Sequence, residues 1–242
     1  MKDILQDVVA HTHALGVLTL VKVTSEDSTT IESMAEDRSV IVTGETKTPV
    51  TEFSGVFGMP NLDKLALHLK NPEYQKDAKV EVVTAERNGE VIPTHIHFEN
   101  ATGDFQNDYR FMNKQIIEEK LKSVKFKGAT WDVEFAPSVA SIQRMKLQAA
   151  AHSEETIFTV KTVDGNLVFL FGDASTHAGN FVFAADVQGS LGTGWSWPVS
   201  QVLSILNLPG DITMKFSDAG AAMITVDSGM ATYDYILPAQ SK

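Results

Sequence analysis

The chain of 242 residues contains no cysteine. That excludes disulfides, thiolate catalysis and Cys-ligated zinc. No apolar run approaches the roughly 20 residues a membrane-spanning helix needs. The opening residues, Met1-Lys2-Asp3-Ile4-Leu5-Gln6-Asp7, lack the apolar core of a signal peptide. The expectation is therefore a cytoplasmic protein, in the host cytoplasm if the source is a virus, with no membrane partner. Positive charge is also scarce: 20 Lys and Arg stand against 31 Asp and Glu, a formal net charge of -11. Taken as a sum, this argues against binding nucleic acid, because phosphates attract Lys and Arg. A protein acidic outside and basic on one inner surface would escape that argument, so the placement of the cations decides.

Catalytic signals are missing as well. Gly189 to Gly194, Gly-Ser-Leu-Gly-Thr-Gly, lacks the Gly-Lys-Ser/Thr ending of a phosphate loop and reads as a plain loop. No serine stands in a nucleophile elbow. Paired acids and an activated nucleophile are absent, so no catalytic residue, cofactor or metal is assigned and an enzyme is the weakest option. Two His-x-His pairs invite a metal reading. His11 and His13 fall on a helix, where i and i+2 side chains point about 200° apart and cannot chelate. His95 and His97 share one face of a strand, but no third ligand is evident. Trp195 and Trp197 read as a packed helix entrance rather than a base-stacking platform.

What is present is an ordinary apolar fraction, 43%, and enough length for two domains. Residues 1–14 read as a helix with Ile4, Leu5, Val8 and Leu15 on one face. Strands follow at 16–24, 29–33, 39–43 and 51–58. A second helix lies between Pro60 and Asn71-Pro72, with Leu62, Leu65, Ala66 and Leu69 as its core face. Further strands are expected at 79–86, 91–99 and 104–112. Residues 113–128, rich in lysine, read as a linker that is helical in part over 116–121. The order then restarts: a strand at 131–135, a helix at 137–151, strands at 155–163, 166–171 and 180–187, a short helix entered through Ser196-Trp197-Pro198, and closing strands at 211–216, 221–227 and 230–237. In the 137–151 helix, Ile142, Met145 and Ala149 read as the core face and Ser141, Arg144 and Gln148 as the polar one. The organisation is thus domain one at 1–112, a connector at 113–128 and domain two at 129–242, each domain reading helix, strands, short helix, strands.

That duplicated order, with Ile31-Glu32-Ser33-Met34, Asn107-Asp108-Tyr109 and Thr232-Tyr233-Asp234-Tyr235-Ile236-Leu237-Pro238 at matching places, resembles the two-domain DNA sliding clamps. These are the polymerase processivity factors typified by proliferating cell nuclear antigen and the clamp of T-even-like bacteriophages. The resemblance implies an α+β DNA-clamp fold of two similar domains, each with two inner helices packed on antiparallel sheets. It implies a homotrimeric ring around duplex DNA, read without sequence specificity. The implied partners are the chain itself, a DNA polymerase and an ATP-dependent clamp loader, with tethering of transcription factors left open. The DNA-facing set is then Lys2, Gln6, His13, Lys64, His68, Arg144, Lys146, Gln148, Gln201 and Ser204. Strands 104–112 and 179–187 become the subunit joint, with Tyr109, Phe111, Phe181 and Phe183 as interface side chains. The partner pocket falls on Met34, Arg38, Ala221, Tyr235, Leu237 and Pro238, with Arg38 where the family often has histidine and Ala221 where it has proline. Two alternatives stay open: a monomeric processivity factor that does not form a ring, and a two-domain structural or interaction protein of a virus.

Overall fold

The computed structural model describes every residue except 88, 122–125, 127, 174, 176 and 241–242. The connector lysines Lys122, Lys125 and Lys127 therefore lie outside the described residues. The chain divides into two compact units, one formed by Met1–Lys125 with Ser228–Tyr233 and the other by Phe126–Asp227 with Asp234–Lys242.

In the first unit, α1 (Lys2–His11) buries Ile4, Leu5, Val8 and Val9 at helical spacing. It stops at His11, and a 3-10 turn at His13–Leu15 closes in the left-handed Gly16. Four antiparallel strands follow: β1 (Leu20–Ser25), β2 (Thr29–Met34), β3 (Ile41–Thr46) and β4 (Gly55–Pro60), in the order β4-β1-β2-β3. The first two alternate strictly between buried and half-buried residues, as strands with one face in a core must. The fourth begins later than expected because Thr51 to Ser54 form turn and loop. Helix α2 (Leu62–Lys70) buries Leu62, Leu65, Ala66 and Leu69 and packs on α1. A meander completes the repeat: β5 (Lys79–Arg87), β6 (Glu90–Glu99) and β7 (Gln106–Arg110), in the order β5-β6-β7.

The expected linker contains a helix, α3 (Lys114–Lys120), longer at its start than the segment foreseen. Asn113 explains the start: its side-chain oxygen accepts from the Ile116 N–H at 3.0 Å. Ile117 is fully buried against Gly58 of β4.

The second unit repeats the plan. After a short β8 (Val133–Phe135), α4 (Val139–Ala151) is capped by Ser138, whose hydroxyl accepts from the Ser141 N–H at 3.0 Å. Strands β9 (Ile157–Val163), β10 (Asn166–Phe171), β11 (Gly179–Ala184) and β12 (Trp195–Pro198) take the order β12-β9-β10-β11. Residues 195–198 are thus a strand pairing with β9, not merely a helix entrance. Helix α5 (Val199–Leu206) packs on α4, and β13 (Asp211–Ser217), β14 (Ala221–Asp227) and β15 (Ala231–Pro238) form the second meander. Strand for strand, β4-β1-β2-β3 matches β12-β9-β10-β11, and β5-β6-β7 matches β13-β14-β15. The core of this unit is aromatic: Phe158, Phe169, Phe171, Phe183, Phe216 and Trp197 are all buried. Each such side chain contributes about 1.5 to 3 kcal/mol through burial.

One feature of the first unit breaks the symmetry of free edges. The outer edge of β3 is covered by Met230–Tyr233, where the Lys47 N–H donates to the Met230 carbonyl at 2.9 Å. The tip is anchored by Asp7, which accepts from Tyr233 Oη at 2.7 Å and Ser228 Oγ at 3.0 Å, while the buried His11 ring stacks on Tyr233.

Candidate functional site

No catalytic constellation forms among the described residues, and no group of three or more His, Asp or Glu side chains there has metal-binding geometry. His11 is buried with Nδ1 at 2.8 Å from the Asp7 carbonyl, so it is part of the core. The Gly189–Gly194 loop wraps the protein's own carboxylate: Asp218 accepts from the Thr193 N–H at 2.7 Å. The candidate sites are instead surfaces: helix faces, sheet edges and one groove.

The four main helices carry five cations (Lys2, Lys64, Lys70, Arg144, Lys146) against three acids (Asp3, Asp7, Asp63), in a chain whose net charge is -11. Asp7 is already engaged by Tyr233 and Ser228, and neither α4 nor α5 has an acid. Gln6, Lys64 and Arg144 are exposed; His13, Lys146, Gln201 and Ser204 are half-buried. Three members of the DNA-facing set are tied into the protein. Lys2 Nζ donates to the Tyr74 carbonyl at 2.7 Å and to Gln75 Oε1 at 2.9 Å. His68 packs on Phe98, and burial, with Lys64 beside it, holds its imidazole below the usual value. Gln148 reaches the Asn180 carbonyl at 3.4 Å. The core face of α4 also differs from expectation. Ser141 is buried, its hydroxyl paired with Ser138 Oγ at 2.8 Å, whereas Val139 and Leu147 are exposed.

Among the described residues, β7 and β11 each end their strand order. Their unpaired sides are where another chain could add. In β7 the parity is fixed: the Asn100 N–H donates to the Phe105 carbonyl at 3.0 Å and the Phe111 N–H to the Thr94 carbonyl at 2.9 Å. Residues 105, 107, 109 and 111 therefore direct their backbone groups to β6, and Gln106, Asp108 and Arg110 direct theirs outward. The expected interface side chains pack on the protein's own residues. Tyr109 is buried and donates its hydroxyl to the Pro60 carbonyl. Burial, with Asp63 nearby, pushes its phenol far above the usual value. Phe111 packs on Phe57, and Phe183 stacks on Phe169 with ring centroids 4.1 Å apart. Phe181 is half-buried beside both Phe169 and Phe183. These four rings hold the edges in place from inside; the exposed groups are Gln106, Asp108 and Arg110 on one strand and Asn180 and Val182 on the other.

Met34 and Arg38 do come together. They line a groove of about 450 Å³ in the first unit with Leu20, Pro60, Met112 and Leu121, the last at the end of α3. Arg38 takes a left-handed conformation in the turn after β2. The expected C-terminal half of the pocket behaves differently. Tyr235 and Leu237 are fully buried, and the Trp197 indole N–H donates to the Leu237 carbonyl at 3.2 Å. They are core residues; Pro238 is exposed and Ala221 half-buried. Sequence reasoning missed Met112, which reads as the end of a strand, and Leu121, which lies in a connector without clear periodicity.

No protein-family model and no curated sequence matches the chain. Solved structures do. The A. fulgidus PCNA bound to the C-terminal region of FEN-1 superposes with a TM-score of 0.69 at 11% identity, over 100% of this chain and 95% of that one. PCNA from Entamoeba histolytica gives 0.66 at 12% identity, covering 99% and 94%. A PCNA2-PCNA3 complex from Sulfolobus tokodaii gives 0.65 at 11%, covering 98% and 97%. The chain has the two-domain fold of the DNA sliding clamps along its whole length.

Proposed function

We propose that the chain is a ring-forming DNA sliding clamp that encircles duplex DNA and tethers a replicative polymerase. The observation that carries the reading is the inventory of sheet edges. Strand β3 is covered by residues of β15, the last strand of the second repeat. By strand correspondence, β11 is the second repeat's β3 and β7 is the first repeat's β15. Both are bare. The same pairing made between copies uses both, and a heterologous joint of that kind closes into a ring or runs on as a filament. The trimer, implied by the resemblance, is the closed form we propose.

The mechanism is topological and needs no catalytic group. A closed ring cannot leave circular DNA, so weak contacts suffice to keep a polymerase in place. Gln6, Lys64 and Arg144 are exposed on helices with few acids, which supports loose phosphate contact without a strong brake. The Met34–Arg38 groove is the proposed seat for the polymerase and for an ATP-dependent loader; the A. fulgidus neighbour carries a peptide from a partner. A bacteriophage source, action in the host cytoplasm and tethering of transcription factors complete the proposal. The test is retention on a nicked circle after loading, followed by linearisation. A clamp stays on the circle and runs off the linear form; equal loss from both would refute encirclement.

A further inference from the structure

The outward face of the β6–β7 pair holds a cluster of charges that the clamp reading leaves unused. His97 on β6 stands directly across from Asp108 on β7. Its Nδ1 is 2.9 Å from Asp108 Oδ1, and its Nε2 is 3.3 Å from Glu99 Oε2. Each ring nitrogen thus faces a carboxylate oxygen. A neutral imidazole has one N–H and can satisfy one of them; only the imidazolium donates to both. The surrounding charges are Glu81 and Lys79 on β5, which pair with each other at 2.7 Å, His95 and Glu99 on β6, and Arg110 on β7. His95 Nε2 lies 3.6 Å from Asp108 Oδ1, and an Arg110 nitrogen 3.8 Å from Asp108 Oδ2. With both imidazoles neutral the patch has three acids against two bases; protonation of His97 balances it.

We propose that the His97–Asp108 clasp makes pairing through the β7 edge sensitive to pH, with protonated His97 ordering the strand for a second copy of this chain and neutral His97 loosening it. The inference rests on the reading that β7 is a joint edge. Asp108 is one of the three residues whose backbone groups point outward, so the clasp acts on the groups that would pair. Strand β7 has five residues and, among the described residues, a neighbour on one side only, which leaves its order dependent on cross-strand contacts. Excess charge on an edge strand also opposes pairing, and the proton removes that excess.

The titration behaviour supports the geometry. His97 is held above its usual value, first by the hydrogen bond it donates to Asp108 and then, against some desolvation, by Glu99. Asp108 is held below its usual value, chiefly by His97. A raised histidine contributes stability that is fully present below its unfolded value of 6.5 and is lost as pH rises through the folded value. A lowered carboxylate contributes stability that is lost only as pH falls below 3.8 through its folded value. The clasp is therefore complete in mildly acidic solution and opens on the alkaline side.

The experiment measures the assembly constant by light scattering from about pH 5.5 to about pH 9, alongside an NMR titration of the His97 ring. Assembly should weaken with rising pH by up to about tenfold per joint for each unit by which pairing raises the His97 value. The midpoint should track the His97 titration. His97→Gln and Asp108→Asn should each flatten the profile of assembly, and with it the pH dependence of the isolated subunit's thermal midpoint. A pH-independent assembly in the wild type, with His97 titrating normally, would overturn the switch and leave the ring standing. A monomer at every pH would overturn the joint reading and the switch together. A profile abolished by a chelator would mean that a metal, not a proton, bridges the two histidines, and would also overturn the proposal.

Discussion

Replacing Gly58 with alanine should detach α3 from the first unit without disturbing assembly. A Cβ at Gly58 would lie 2.8 Å from Ile117 Cδ1, 2.9 Å from Cγ1 and 3.1 Å from Cβ. The first two could be relieved by a rotamer change, but the third is fixed to the α3 backbone. Ile117 is fully buried, so its side chain has nowhere to go. Either α3 shifts, at an overpacking cost of about 1 to 3 kcal/mol, or it undocks and loses the burial of Ile117, worth about 1.5 to 3 kcal/mol. A helix of seven residues has no independent stability to fall back on. Hydrogen exchange at the Leu121 amide, which donates to the Ile117 carbonyl at 2.8 Å, reads the outcome. Its protection should fall by about tenfold to a hundredfold, which is 1.4 to 2.8 kcal/mol. Because α3 ends in the Met34–Arg38 groove, capture of a partner peptide should weaken in parallel. Adding Ile117→Ala to Gly58→Ala removes the two shortest contacts and leaves only the one at 3.1 Å to the Ile117 Cβ, so the two changes should not add. Wild-type exchange in Gly58→Ala, or strict additivity in the double variant, would refute the reasoning.

Leu237→Glu should unfold the second unit, because a carboxylate placed at a fully buried position costs several kcal/mol; Pro238→Glu, at an exposed position, should leave the thermal melt unchanged. Arg110→Pro removes an outward donor of β7 and should shift the mass toward monomer, whereas Tyr109→Pro should damage the sheet itself, since that amide faces β6. Lys64→Glu with Arg144→Glu should shorten residence on circular DNA while the mass in solution stays the same. Tyr233→Phe should cost about 1.5 to 3 kcal/mol by thermal unfolding, the value of a hydrogen bond to a charged acceptor, here Asp7. His68, whose folded value is lowered by burial, should make the first unit less stable as pH falls below 6.5 through that value, the opposite trend to His97.

The order of elements was legible because two periodicities alternate along the chain. Leu62, Leu65, Ala66 and Leu69 could only be one helix face, and 221–227 could only be a half-buried strand. The terminal strand shows where pattern alone runs out. Tyr233, Tyr235 and Leu237 share one face by alternation, but alternation cannot distinguish a core from a pocket, and the structure places all three in the core. In α4, a serine looked polar until its hydroxyl found Ser138 and let it face inward. Edge parity was out of reach for a different reason: which residues of β7 point outward depends on hydrogen bonds to β6, which no residue type encodes. The connector helix depends on Gly58, distant in sequence, and only packing reveals that pairing.

The central claim is that two bare edges, β7 and β11, close copies of this chain into a ring. Native mass determination at micromolar concentration tests it most directly. The account predicts a single species of three chains, each of 26.4 kDa, which gives way to monomer when Arg110 is replaced by proline. A mass of one chain at every concentration, or a trimer that survives the loss of either edge, would contradict it.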